Sequence, residues 1–505
     1  MTNPLYDTLF GAHAGRDTPF LILPDGQTRT HADFLAQTAQ LAHVLVDAGL
    51  QPGDRLAAQV QKSPDALALY AACVQAGVVF LPLNTAYTAP EVTYFIEDSG
   101  ARMLVCDAKA QEALTPLADR LNAQLRVLNA DGSGSLMDDA TDKPKQFDTV
   151  AREASDLAAL LYTSGTTGRS KGAMLSQTNL LSNAKVLAKE WRFTAADRLL
   201  HALPIFHTHG LFVATNITLV AGGSMIFLPK FDVDAVLAHL PQATVMMGVP
   251  TFYTRLLDSP KFTREAAAHM RLFVSGSAPL LAETHARFSE LTGHAILERY
   301  GMTETNMSTS NPYDGARRAG TVGFPLPGTE LKITDPETGA TLPQGEVGQI
   351  EVRGDNVFMG YWQMPEKTAE ELRSDGFFIT GDLGMIDDLG YVQIVGRGKD
   401  LIISGGFNIY PKEIELVLDD QPGVLESAVI GVKHADFGEA PVGVLVPAPG
   451  QTPNLDAIME SVRSQLARFK HPARLVVVDE LPRNTMGKVQ KNVLRDQLAD
   501  VLTSD

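Results

Sequence analysis

The chain of 505 residues is too long for one ordinary hydrophobic core and suggests about three structural units, although one large α/β domain could absorb most of it. A formal charge of −17 argues against a general nucleic-acid or anionic-membrane surface, because phosphate polyanions are held by clustered Lys and Arg, so any anionic ligand must meet cations placed locally. Cys73 and Cys106 are too few for a disulfide framework or a zinc spacing and read as core residues in a reducing compartment. The first twenty residues have neither the apolar core of a signal peptide nor the Arg-rich bias of a transit peptide. No apolar run is long enough to span a bilayer, so the expected location is cytoplasmic, with no membrane partner.

From Thr30 to Cys106 a helical pattern alternates with short apolar runs: "HADFLAQTAQLAHVLVDAGL", "RLAAQV", "ALALYAACVQAG", "VVFLPL", "VTYFIEDSG" and "RMLVCD". This alternation predicts doubly wound, mostly parallel sheets. The polar stretch "NADGSGSLMDDATDKPKQ" reads as a surface connection and a candidate subdomain boundary. The α/β theme resumes at "LAALLY", "LLHALP", "ATVMMGVP" and "RLFVSGSAP". After Gly320, Gly- and Pro-punctuated strands such as "ELKITDPETGATLPQGEVGQIEVRG" predict a β-rich subdomain. A final α/β unit follows, with "DLIISGGFNIYPKEIELVLDD", "VLESAVIGV", a helix near "LDAIMESVRSQLARF" and the strand "ARLVVVDEL".

The strand "LAALLY" runs straight into Thr163-Ser164-Gly165-Thr166-Thr167-Gly168-Arg169-Ser170-Lys171-Gly172. Glycines permit tight turns, hydroxyls and free N–H groups can donate to phosphate oxygens, and Lys171 adds a cation. The spacing is not that of a Walker A loop, which needs four residues between Gly and Gly-Lys-Ser/Thr. Four further segments accompany it in order: "SGSAP" (275–279), "YGMTET" (300–305), "TGDLG…GRGKDLIISGG" (380–406) and "LPRNTMGKVQK" (481–491).

Together these five segments resemble the acyl-adenylate-forming superfamily of acyl-CoA synthetases, nonribosomal adenylation domains and luciferase-like enzymes, over nearly the whole chain. The resemblance implies that residues 163–171 bind the pyrophosphate part of ATP, that Gly276, Ser277, Ala278 and Tyr300 form the adenine pocket, where a tyrosine ring can stack on the base, and that Gly301 and Met302 also contact ATP. Thr303 becomes a donor to the α-phosphate, and Glu304 a ligand or close partner of Mg²⁺. Asp382 would hold the ribose hydroxyls with help from Arg397, and Lys488 would reach the reacting carboxylate and the α-phosphate.

The resemblance also divides the chain into an adenylation domain, residues 1–398, and a small mobile α/β domain, residues 399–505. Lys399 is the implied hinge, between glycines that can absorb large dihedral changes, and Gly405 and Gly406 face CoA. Lys488 becomes a plausible substrate of a lysine acetyltransferase and deacetylase, because acetylation removes its charge. Gln177 stands where many relatives carry a histidine, so any support that ring gives the nucleotide loop is absent or passes to the amide.

Arg299, in "ILERYGMTET", places a charge where a strand or its exit is expected to stay apolar. A buried guanidinium needs an anion, and its fork suits a carboxylate. The local sequence resembles that of enzymes acting on malonate and methylmalonate, which implies that Arg299 reads a second carboxylate on the acid, with His207 and Ser277 lining the same place. His209, close by, is more simply a satisfied core or capping group, and a salt bridge from Arg299 to Glu298 is the plain rival. The expectation is therefore an AMP-forming ligase joining malonate, or methylmalonate, to CoA. The alternatives are a ligase for another short acid, or an adenylation enzyme that loads a carrier protein. A nucleotide-binding regulator is disfavoured because Glu304 and Lys488 are both present.

Overall fold

A computed structural model describes residues 3–163, 170–404, 407–434, 437–466, 468–484 and 487–502. The chain divides into two units. One comprises residues 1–319, 323–330 and 352–378, the other residues 320–322, 331–351 and 379–505.

The first unit contains two large sheets. In one, strands Gln124–Val127, Met103–Cys106, Arg55–Gln59, Val79–Pro82 and Leu157–Thr163 lie side by side and parallel, and Lys171–Ser176 folds back antiparallel on the last of them. These strands are short, apolar and almost wholly buried, as expected where helices cover both faces of a parallel sheet. The polar stretch 129–146 is not a boundary, because the strands on both sides of it belong to this one sheet. Within it Ser135–Ala140 forms a helix with Leu136 fully buried, and Gln40 Nε2 donates to the Ala140 and Lys143 carbonyls, so the connection is packed down.

The second sheet of this unit has nine strands. Its middle is parallel: Pro19–Ile22, Ser224–Phe227, Arg198–His201, Val245–Gly248, Leu272–Ser275 and Leu297–Met302. Antiparallel strands close each edge. One core cluster, with Phe273, Tyr253, Phe288, Met246 and Leu256, packs under its central strands. Ligands of open α/β sheets bind beyond the carboxyl ends of parallel strands, and here those ends are His201, Gly248, Ser275 and the turn after Met302.

The second unit holds most of a four-stranded sheet, Thr329–Thr334, Gly348–Gly354, Phe378–Ile386 and Val392–Arg397, which is the predicted β-rich segment. It also holds the final α/β block. There Gly438–Pro447 runs between the long strand Val424–His434 and the short strands Ile402–Ser404 and Arg474–Val477, with helices Pro411–Asp419 and Leu455–Gln465 on its apolar face. No described helix is long and apolar enough to cross a membrane.

Candidate active site

The carboxyl end of Leu272–Ser275 leads into Gly276, Ser277 and Ala278, beside the strand Leu297–Met302 that carries Arg299 and Tyr300. The pairing of Ser275 with Glu298 sets Gly276 against Arg299. A Cβ on Gly276 would lie 2.3 Å from Arg299 Cζ, so only glycine leaves room for the guanidinium there. Ser277 has φ of 72°, a conformation costly for a residue with a Cβ, and its Oγ lies 3.2 Å from His209 Nδ1.

Arg299 is 3% exposed, and its Nε and Nη2 are buried without a hydrogen-bond partner. Burial pushes its guanidinium down to about 9, still a cation at neutral pH, with Tyr253 and Glu298 opposing the shift. Glu298 Oε1 accepts from the Leu280 N–H at 3.1 Å. Three further buried polar atoms on neighbouring segments share the unsatisfied state: Thr208 Oγ1, His209 Nε2 and Ser275 Oγ. Burial, then Arg299, push the His207 imidazole down to about 4, so it is neutral at pH 7. Its Nδ1 accepts from the His209 N–H at 3.4 Å, which leaves the proton on Nε2 as a donor. His209, read as satisfied, is the correction here: it is 1% exposed with Nε2 unpaired, and burial together with Arg299 holds it neutral. Buried donors without partners are costly unless a ligand meets them, which makes this unsatisfied set a candidate ligand contact.

Thr163, Lys171 and Glu304, expected to serve the phosphates and their metal ion, lie on the same unit. Ser164, Gly165, Thr166, Thr167, Gly168 and Arg169 fall outside the described residues, but the strands flanking them are paired, with Thr163 opposite Lys171. Tyr94 Oη donates to the Ser170 carbonyl at 2.6 Å. Glu304 is 4% exposed; Thr163 Oγ1 donates to its Oε1 at 3.4 Å, and Tyr361 Oη lies 3.1 Å from the same oxygen. Its backbone is held by the Phe358 N–H at 2.7 Å, and a bulge between Tyr300 and Gly301 sets the turn before it. A Cβ on Gly301 would lie 1.9 Å from the Asn306 carbonyl oxygen, which explains that glycine without reference to a ligand. A hard carboxylate flanked by hydroxyls suits Mg²⁺ shared with substrate phosphates. Among the described residues there is no cluster of three or more His, Cys, Asp or Glu that could hold a metal ion.

The second unit carries Asp382 and Arg397 opposite each other on paired strands, with Arg397 Nε 2.6 Å from Asp382 Oδ1. Asp382 is 4% exposed, and its own N–H donates to Thr380 Oγ1. Lys399 sits in a short turn, Gly398–Asp400, and Asp400 is paired with Arg495 at 2.6 Å. Burial, then Arg397, push the Lys488 ammonium down to about 8, while Asp382 and Asp400 pull it back. Gly405 and Gly406 fall outside the described residues. Gln177 begins the helix Gln177–Glu190 and its Oε1 accepts from the Leu5 N–H at 3.1 Å, so the amide is built into N-terminal packing.

Sequence reasoning missed Lys62, His201, Tyr361 and Glu371. Lys62 Nζ lies 2.8 Å from both His201 Nδ1 and the His201 carbonyl, and over the Phe227 ring. Glu371 and Tyr361 meet Lys171: Nζ is 3.2 Å from Glu371 Oε1 and 4.0 Å from the Tyr361 ring centre.

A large unit of doubly wound sheets, followed by a small α/β block bearing a half-buried lysine, is the organisation of enzymes that adenylate carboxylic acids. The chain belongs to the AMP-binding enzyme family: residues 11–362 match the family itself and residues 413–488 its C-terminal domain. The structure of MatB from Rhodopseudomonas palustris with ATP bound is 57% identical, covers 99% of this chain and 100% of that one, and superposes with a TM-score of 0.97. Feruloyl-CoA synthase of Amycolatopsis is 38% identical over 93% of this chain and 94% of its own. Malonate–CoA ligase of Arabidopsis thaliana is 35% identical over 84% and 74% respectively.

Proposed function

We propose that the chain is an AMP-forming ligase that joins malonate to coenzyme A with ATP, through an enzyme-bound malonyl-adenylate. The observation that carries this is Arg299, a buried cation whose Nε and Nη2 lack partners, among the unpaired Thr208, His209 and Ser275 donors. A second carboxylate satisfies that set; acetate or an aromatic acid such as ferulate leaves it unpaired. A malonate–CoA ligase among the relatives supports the same reading.

A carboxylate resists attack by a thiol until its oxygen becomes part of a good leaving group, which the mixed anhydride with AMP supplies. In this reading Arg299, with His207 and Ser277, holds the distal carboxylate and turns the other toward the α-phosphate. Residues 163–171 cradle the departing pyrophosphate, Gly276, Ser277, Ala278 and Tyr300 take the adenine with Gly301 and Met302 also contacting ATP, and Asp382 with Arg397 takes the ribose. Thr303 donates to the α-phosphate and Glu304 holds magnesium, which screens charge gathering on the phosphates when bound. Lys488 places its ammonium on the reacting oxygens. Residues 399–505 then turn about Lys399 and bring Gly405 and Gly406 to the CoA thiol. Acetylation of Lys488 by a lysine acetyltransferase would stop the first step, since it removes the charge. The buried, free Cys73 and Cys106 suit a reducing cytoplasm.

The deciding assay is pyrophosphate release with ATP, CoA and, in turn, acetate, malonate, methylmalonate and succinate. Malonate or methylmalonate should lead acetate by about 10⁴-fold in kcat/KM, the scale at which a site built for a polar group rejects an analogue lacking it. Arg299→Ala should lose malonate turnover and leave ATP binding within about threefold, because the lost interaction is worth the roughly 3–5 kcal/mol of a broken buried pair at the acid alone. Acetate used as well as malonate sinks the assignment.

A further inference from the structure

Lys171 is the cation that closes the phosphate loop, and it has a resident partner of its own. Its side chain is 13% exposed, and Nζ lies 3.2 and 3.3 Å from the two oxygens of Glu371, two hundred residues further along the chain. Those distances are longer than a well-formed charged hydrogen bond, as when one N–H is shared between two oxygens. An ammonium has three N–H donors, so that sharing leaves others for an incoming anion. The Tyr361 ring supports the ammonium from 4.0 Å.

Glu371 is itself fixed. Tyr361 Oη donates to its Oε2 at 2.6 Å, and Lys367 reaches its Oε1 at 2.9 Å. Burial raises its carboxyl, but the bonds from Tyr361, Lys367 and Lys171 prevail and hold it below its ordinary value, as a carboxylate. Tyr361 Oη is also 3.1 Å from Glu304 Oε1, and Thr163, paired with Lys171 across the strands, touches the same oxygen. One connected set of side chains therefore joins the phosphate-loop lysine to Glu304.

We propose that Glu371 is a positioning residue that, held by Tyr361, fixes the Lys171 ammonium for the β- and γ-phosphates of ATP. This rests on the reading of Lys171 as a phosphate ligand. A lysine carries its charge on a flexible four-carbon stem, and the freedom it gives up on binding an anion is lost in advance when a carboxylate and a ring face already hold it. Glu371 acts through Lys171 and does not touch substrate.

The test is a double-mutant cycle on the full chain, reading the Kd of ATP with magnesium in the absence of acid and CoA, and the KM of malonate in turnover. Lys171→Ala and Glu371→Gln should each raise the ATP Kd, Glu371→Gln by about tenfold, the weight of one charged hydrogen bond. In the Lys171→Ala background Glu371→Gln should add nothing, and the malonate KM should stay unchanged throughout. Tyr361→Phe, which keeps the ring and removes the hydroxyl that fixes Glu371, should give a smaller loss in the same direction. Tighter ATP binding in Glu371→Gln overturns the proposal, because the carboxylate then competes with phosphate. Equal losses in both backgrounds overturn it too, as a general structural effect. If Lys171→Ala leaves ATP binding intact, the phosphate role of Lys171 fails and the proposal falls with it; that result is recognised by the lysine variant alone.

Discussion

Arg299 is maintained at a cost to stability. A guanidinium at 3% exposure with Nε and Nη2 unsatisfied gives up hydration without a protein anion to replace it. Replacing a buried ion by an apolar side chain of similar length is often neutral or stabilising, while the function that needed the ion is lost. Arg299→Met should therefore raise the denaturant midpoint, by about 1–3 kcal/mol of unfolding free energy, while malonate turnover disappears. A midpoint that falls would mean that Arg299 is a structural member of the strand Leu297–Met302, and the acid-binding reading would lose its main support. Gly276 belongs to the same argument, because any side chain there must displace the guanidinium that lies 2.3 Å from where its Cβ would be.

At the scale of elements, a π-helix, His209–Thr215, is entered directly from the turn that carries His207 and Thr208. Such wide turns recur at functional sites, and this one is pinned from the strand Arg198–His201. His201 Nε2 donates to the Gly210 carbonyl at 2.9 Å, while Nδ1 accepts from Lys62 at 2.8 Å, so the lysine selects the tautomer that holds the helix. His201→Leu removes one hydrogen bond from Lys62 Nζ, which keeps the residue-201 carbonyl, and one from the Gly210 carbonyl, which keeps Thr215 Oγ1, for a loss of about 1–3 kcal/mol read as a lower denaturant midpoint at unchanged m-value. Unchanged stability would remove the pin from the account. The same elements mark where sequence reading stops. Alternating apolar runs revealed the parallel strands, and Gly- and hydroxyl-rich motifs revealed the loops after them, because both signals are local. Lys62 reads as a solvated lysine after a strand, and Glu371 in "PEKTAEELRSDG" as one charge on a polar helix face. Their partners lie 139 and 200 residues away, a relation that periodicity does not carry. Thr208 and Ser275 are small hydroxyls whose meaning comes only from lacking a partner in a buried place.

For the molecule as a whole, the proposed cycle gives Lys488 one half-reaction and Gly405 and Gly406 the other, so the two should respond differently to one proton. Burial, then repulsion from Arg397, lower the Lys488 ammonium to about 8 from its ordinary value of 10.5. Only the charged form can stabilise the oxygens that gather negative charge during adenylation, so the free enzyme is competent below about pH 8 and loses competence as the proton leaves above it. The kcat/KM for ATP in malonate-dependent pyrophosphate exchange should accordingly be level near neutrality and fall roughly tenfold per pH unit above about 8. Lys488→Arg keeps a cation at every accessible pH, and its exchange, though slower, should lack that limb. Lys488→Ala should abolish exchange, while thioester formation from supplied malonyl-adenylate survives without the same pH limb. If the basic limb persists in Lys488→Arg, its origin lies elsewhere; if Lys488→Ala loses both half-reactions equally, the division of labour between two orientations of the C-terminal domain is wrong.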